Sequence, residues 1–89
     1  MPDMSRSDAE IVMEIATALY GDRWQASLAR DAGVSQSLIS QIVNGDRKLS
    51  PDRKYRLVQA FELRAKELRE GILRAGVLVS ELLSREYRV

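Results

Sequence analysis

The chain has no cysteine and no histidine. The first absence excludes disulfides and thiol chemistry and suits a cytoplasmic setting. Together they exclude zinc sites built on Cys and His, and they exclude histidine-based catalytic triads. There is no glycine-rich phosphate loop, and the carboxylates sit where helix caps and surface charges sit. We therefore expect no enzyme, no metal, no cofactor and no small-molecule ligand. Long hydrophobic runs are missing too. The first ten residues are polar, without the apolar segment of a signal peptide. The most apolar stretch, Ile72 to Leu83, is too short to span a bilayer and contains Arg74 and Glu81. No membrane association is expected. Only two prolines and five glycines interrupt the chain, and no alternating strand pattern appears.

What remains is 89 residues, enough for one small domain or a small domain with an arm. A core of this size is limited, which makes oligomerisation a natural further source of stability. The net charge of +1 hides an asymmetry. Residues 1–22 hold Arg6 against Asp3, Asp8, Glu10, Glu14 and Asp22, a net −4. Residues 23–56 hold seven Lys/Arg against Asp31, Asp46 and Asp52, a net +4, and residues 57–89 come to +1. A basic middle segment is the footprint expected of a nucleic-acid-binding surface, and also of an ordinary solvated one.

Punctuation along the chain predicts helices throughout. Residues 1–6 read as a flexible tail. Ser7 with Glu10 forms a capping box, and Ile11, Ile15 and Leu19 set out an apolar face that Gly21 terminates. Asp22 is the expected cap of a second helix, with Gln25 at its box position and Leu28, Ala29 and Ala32 as its buried side. Gly33 supplies a left-handed turn. Ser35 caps a third helix that ends near Asn44-Gly45, and a basic-tipped loop with Arg47 and Lys48 follows. Ser50-Pro51 opens the last segment, cap then proline at the first helical position.

The third helix sorts its residues by angle. With Gln36 at zero, Ser40, Asn44, Ser37 and Gln41 fall at about 40°, 80°, 100° and 140°, while Leu38, Ile42, Ile39 and Val43 fall between about 200° and 340°. Surface helices are usually rich in Glu and Lys; this polar face is wholly Gln, Ser and Asn. Amide side chains donate and accept at once and can read a base edge bidentately.

The pattern Gln25, Leu28-Ala29, Ala32-Gly33-Val34-Ser35-Gln36, Ile39, Ile42 and Asn44-Gly45 resembles the helix-turn-helix of the lambda repressor and Cro family. The match is dense over residues 25–45 and looser over 8–62. The resemblance implies an all-α, lambda-repressor-like domain whose second motif helix lies in the major groove. It implies that Gln36, Ser37 and Gln41 reach base edges. Gln25 would bond a phosphate and buttress Gln36, and Ser40, Asn44, Arg47 and Lys48 would hold the DNA backbone. Trp24 stands where the family commonly has a small capping residue, which is why the cap is assigned to Asp22. The reading face has no arginine, so the bidentate guanine contact is not available to it and discrimination rests partly on DNA shape.

Val58, Phe61, Ala65, Leu68, Ile72, Ala75, Val79 and Leu82 form an unbroken heptad stripe. Val58 and Phe61 are expected to close the domain core; Trp24 is expected to pack, and Tyr55 and Tyr87 to pack or to lie at an interface. The division predicted is a DNA-binding domain over 7–66 and a C-terminal dimerisation arm over 67–89, a long helix or helix pair. Leu68, Ile72, Ala75, Val79 and Leu82 are its candidate dimer contacts. In a parallel coiled coil Arg64 and Arg69 would face and repel, whereas Gly71, Ala75 and Gly76 let two helices cross closely. A symmetric crossed or antiparallel homodimer centred near Ile72 to Val79 follows, and the alternative is a helix that bends near Gly71 and folds back. The functional expectation is a compact phage-, plasmid- or mobile-element-type repressor binding an inverted repeat in double-stranded DNA. The competing expectation is an antitoxin or adaptor whose C-terminal helices bind a protein partner.

Overall fold

Ser7 begins the first helix as its sequence position suggests: its Oγ accepts the Glu10 backbone N–H at 3.1 Å. In the computed structural model, which describes residues 6–86, four helices follow in order. They are α1 (Asp8–Tyr20), α2 (Trp24–Ala32), α3 (Gln36–Val43) and α4 (Pro51–Glu86). No strand occurs among the described residues, so the fold is all-α. Met1 to Ser5 of the expected tail lie outside the described residues, as does Tyr87.

The cap of α2 differs from expectation. Arg23, not Asp22, holds the N-cap position, with no side-chain cap hydrogen bond. The reason is Trp24: its indole is buried in the core, and that packing fixes where the helix begins. Gly33 ends α2 at φ +70°, ψ +34°, a left-handed conformation that costs any residue with a Cβ about 1–2 kcal/mol. Val34 N–H then bonds the Ala29 carbonyl at 3.0 Å, closing the turn into α3. Ser35 Oγ accepts the Leu38 N–H at 3.0 Å and starts α3. Ser50 Oγ accepts the Arg53 N–H at 3.3 Å and starts α4 on Pro51.

The core is small and shared by all four helices. Leu28 and Ile39 are fully buried, with Val12, Ala16, Trp24, Ala29, Ala32, Leu57, Ala60 and Phe61 around them. Truncating Leu28 to alanine would cost about 2–5 kcal/mol, a large part of what a domain this size holds. Two helices bury a face one position away from the expected one. In α1 the buried residues are Val12 and Ala16, while Ile11 and Ile15 stay 39% and 37% exposed and Leu19 is half-buried. In α4 Leu57 and Ala60 accompany Phe61 inward, and Val58 is 42% exposed. Both helices are apolar over a wider arc than one core contact covers. Their parallel side-by-side packing, pinned by Lys54–Asp8 at 2.9 Å and by Arg64 Nε donating to the Leu19 carbonyl at 3.1 Å, selects which edge goes inside.

The fourth helix does not bend at Gly71. It runs unbroken for 36 residues, about 54 Å, and every described side chain from Arg69 to Arg85 is exposed. Ile72 is 71% exposed, and Leu73, Val77, Leu78, Val79, Leu82 and Leu83 are exposed with it. Tyr55, expected to pack or to lie at an interface, does not pack: it is exposed and accepts a hydrogen bond from Gln59 at 3.2 Å. The interior glycines of the arm cost about 1 kcal/mol each relative to alanine. No helix among the described residues is long and apolar enough to cross a membrane.

Candidate nucleic-acid interface

The side chains of α3 divide as the angular sorting requires. Ile39 and Ile42 are buried, Leu38 and Val43 half-buried. Gln36 and Ser37 are exposed at the first turn, and Gln41 is half-buried at the edge of the face. No acidic residue occupies either terminal turn of α3.

Gln25 and Ser40 are brought together. Ser40 Oγ donates to Gln25 Oε1 at 3.0 Å, which ties the first turn of α2 to the middle of α3. Gln25 thus braces α3 through Ser40, and no hydrogen bond joins it to Gln36 among the described residues. Its amide NH2 keeps two donors for an anionic partner.

The loop after α3 is fixed to the helix by backbone. Gly45 adopts φ +82°, and the N–H groups of Asp46 and Arg47 both bond the Gln41 carbonyl, at 2.9 and 3.3 Å. Arg47 is held at a set distance from Gln41, not on a free tether. Asn44 is exposed at the C-cap, and Lys48 is exposed farther along, where the loop passes the start of α1.

One residue absent from the sequence reading enters here. Arg53, in the first turn of α4, lines a shallow concavity with Ser35, Ser37, Leu38, Gln41 and Arg47. The Ser50 cap sets its position, since Arg53 is the residue whose N–H that cap accepts. A hint was available: Arg53 belongs to the basic excess of residues 23–56.

Electrostatics separate the basic residues into two groups. Lys54 pairs with Asp8 and Arg56 with Asp52. Among the described residues no carboxylate lies within ion-pair distance of Arg47, Lys48 or Arg53. These three cations therefore direct their field outward beside the polar face of α3, which suits a polyanion.

Behind this surface Tyr20 Oη donates to Asp31 Oδ2 at 2.8 Å, and the Arg64 guanidinium lies 5.1 Å from the Tyr20 ring centre. Burial, then the Asp31 hydrogen bond and charge, push the Tyr20 phenol up to about 12. This cluster joins the end of α1 to α2 and α4 and touches none of the outward-facing groups.

Residues 25–68 match the helix-turn-helix family model, an interval that takes in α2, α3 and the bundle-packed half of α4. No curated protein and no solved structure matches the chain. Backbone and sequence agree over the same interval: residues 25–68 are a helix-turn-helix domain of the DNA-binding family, and the chain is in general terms a DNA-binding transcription regulator.

Proposed function

We propose that the protein is a homodimeric, sequence-specific repressor that reads an inverted repeat and acts by occupying a promoter, without catalysis. The observation that carries this reading is the solvent-facing amide and hydroxyl surface of α3, flanked by unpaired cations. In this reading Gln36, Ser37 and Gln41 meet base edges in the major groove. Asn44, Arg47, Lys48 and Arg53 hold sugar-phosphate. Gln25 donates its free amide hydrogens to a phosphate, and Ser40 acts by holding Gln25.

Residues 7–66 form the DNA-binding part and 67–89 the dimerisation arm. The exposed apolar stripe of α4 supports the second copy, because Ile72, Ala75, Val79 and Leu82 are exposed in the single chain and continue the stripe from half-buried Leu68. Two-fold symmetry would present the two α3 helices to the two halves of an inverted repeat, with the half-site spacing set by how the arms pair. Each half alone binds weakly, and pairing multiplies the affinity. A compact reader of this kind fits a phage, plasmid or mobile element and a cytoplasmic setting.

Light scattering on the full chain and on Val79→Glu tests the dimer. The expected result is twice the chain mass for the first and a single chain for the second, with weaker operator binding. A dimer that survives Val79→Glu removes the arm from the interface. The exposed arm also favours a second reading, an adaptor or antitoxin that binds another protein; a full chain that is monomeric in solution would point to it.

A further inference from the structure

We infer that the groove between α1 and α4 is the seat of a second copy's C-terminal arm. The two chains then pair antiparallel along α4, with each arm tip lying against the other chain's α1. The inference rests on the dimer reading above and specifies its geometry.

Three observations converge. The outer edge of α1, with Ile11, Ile15 and Ala18, joins Leu19, Phe61 and Ala65 to line an open, mainly apolar groove of about 600 Å³, which the Arg6–Glu14 ion pair and Glu62 also line. Ile11, Ile15 and Ala18 are exposed in the single chain, Leu19 and Ala65 are half-buried, and the core residue Phe61 forms the floor. Second, the groove and the arm are one surface. Ala65, Leu68, Ile72, Ala75, Val79 and Leu82 fall within an arc of about 100° on α4, so a helix laid along the arm runs on into the groove. Because α1 runs parallel to α4, such a helix is antiparallel to both and fills the cleft between them. Third, a Cβ built on Gly71 or Gly76 meets nothing within 4 Å. Nothing within the chain requires glycine at those two helical positions, and glycine there lets a second helix approach the backbone closely.

The register follows from symmetry. In a two-fold interface residue i faces j while j faces i. The stripe reads the same in both directions about the point between Leu73 and Arg74. About that point Ala65 faces Leu82, Leu68 faces Val79, Ile72 faces Ala75, and Leu78 of one copy lies beside Gly71 of the other. Each small residue meets a large one. A shift of one heptad toward the N-terminus would instead set Ala65 against Ala75 and leave a void.

Arg64, at a flank of the stripe, is drawn toward α1 by the Leu19 carbonyl and the Tyr20 ring and does not block the approach. Leu, Ile and Val side chains bury on the order of 100 Å² each. Ile72, Leu78, Val79, Leu82 and Leu83 from two arms supply on the order of 1,000 Å². The groove walls bring the total into the range of about 1,200–2,000 Å² typical of stable complexes.

The cysteine-free chain makes the register directly testable. Full-length Ala65→Cys/Leu82→Cys, and an equimolar mixture of the two single variants, are oxidised with copper phenanthroline and run without reductant. Light scattering on the reduced proteins reports oligomeric state. The expected result is a covalent dimer from the double variant and from the mixture, and none from either single variant. In this register like positions lie 17 residues apart along the axis, about 26 Å, and the same distance separates 65 from 82 within one chain.

A link from Leu82→Cys alone means parallel arms. A link from Ala65→Cys/Ala75→Cys in place of the first pair means the shifted register. A dimer that gives neither means another surface. Each of these overturns the inference and leaves the dimer standing. A protein that is monomeric by light scattering overturns the dimer reading itself.

Discussion

Ser40 Oγ donates to Gln25 Oε1 across 3.0 Å, fifteen residues away in the chain, and this half-buried bond joins the first turn of α2 to the middle of α3. In the proposed reading Ser40 acts on DNA at one remove, by holding Gln25. Ser40→Ala should lower stability by about 0.5–1.5 kcal/mol in urea unfolding. It should weaken binding to specific and random duplexes alike. A change of preference at a single base pair would show instead that Ser40 touches a base.

Gln36 is the most exposed amide at the first turn of α3. Gln36→Ala should cost about 1–3 kcal/mol on a specific site and relax preference at one base pair. Competition binding against operators changed one pair at a time measures this. Equal loss on random DNA would remove Gln36 from sequence reading.

Arg47 and Arg53 line one concavity and have no acidic partner among the described residues, whereas Arg56 pairs with Asp52 at 3.6 Å. Replacing Arg47 or Arg53 by alanine should shallow the plot of log affinity against log salt by about one unit each. Arg56→Ala should leave that slope unchanged. An unaltered slope for Arg53→Ala would take it off the phosphate path.

The Tyr20 phenol is pushed up from 10 to about 12 by burial and by Asp31, and this makes stability depend on alkaline pH. Below pH 10 the phenol is protonated in folded and unfolded chains, and its contribution is fully present. Above pH 10 the unfolded chain releases the proton first, so stability falls until about pH 12. Tyr20→Phe should flatten this limb of the urea midpoint against pH. An unchanged limb would assign the loss to other groups.

Much of the motif was legible because it is local. Ser7, Ser35 and Ser50 cap the helices that follow them, and Gly33 turns the chain where only a residue without a Cβ turns freely. Long-range choices were not legible. The apolar arc of α1 runs from Ala18 through Ile11 and Ile15 to Val12 and Ala16, and only the placement of α4 decides which edge is buried. The same holds for Val58 against Leu57. Trp24 moved the α2 cap to Arg23 because burial of a large ring outweighs one capping bond. The Gln25–Ser40 contact and the approach of Arg53 to α3 join separate helices, which no local pattern encodes. The straightness of α4 through Gly71 was open in the sequence, since a lone glycine weakens a helix without breaking it.

The most direct test of a dimeric reader is selection of bound sites from random duplex DNA by the full-length protein, followed by sequencing. The expected result is an inverted repeat, as two α3 helices related by a two-fold axis require. Enrichment of a single half-site, or of no sequence at all, would contradict it.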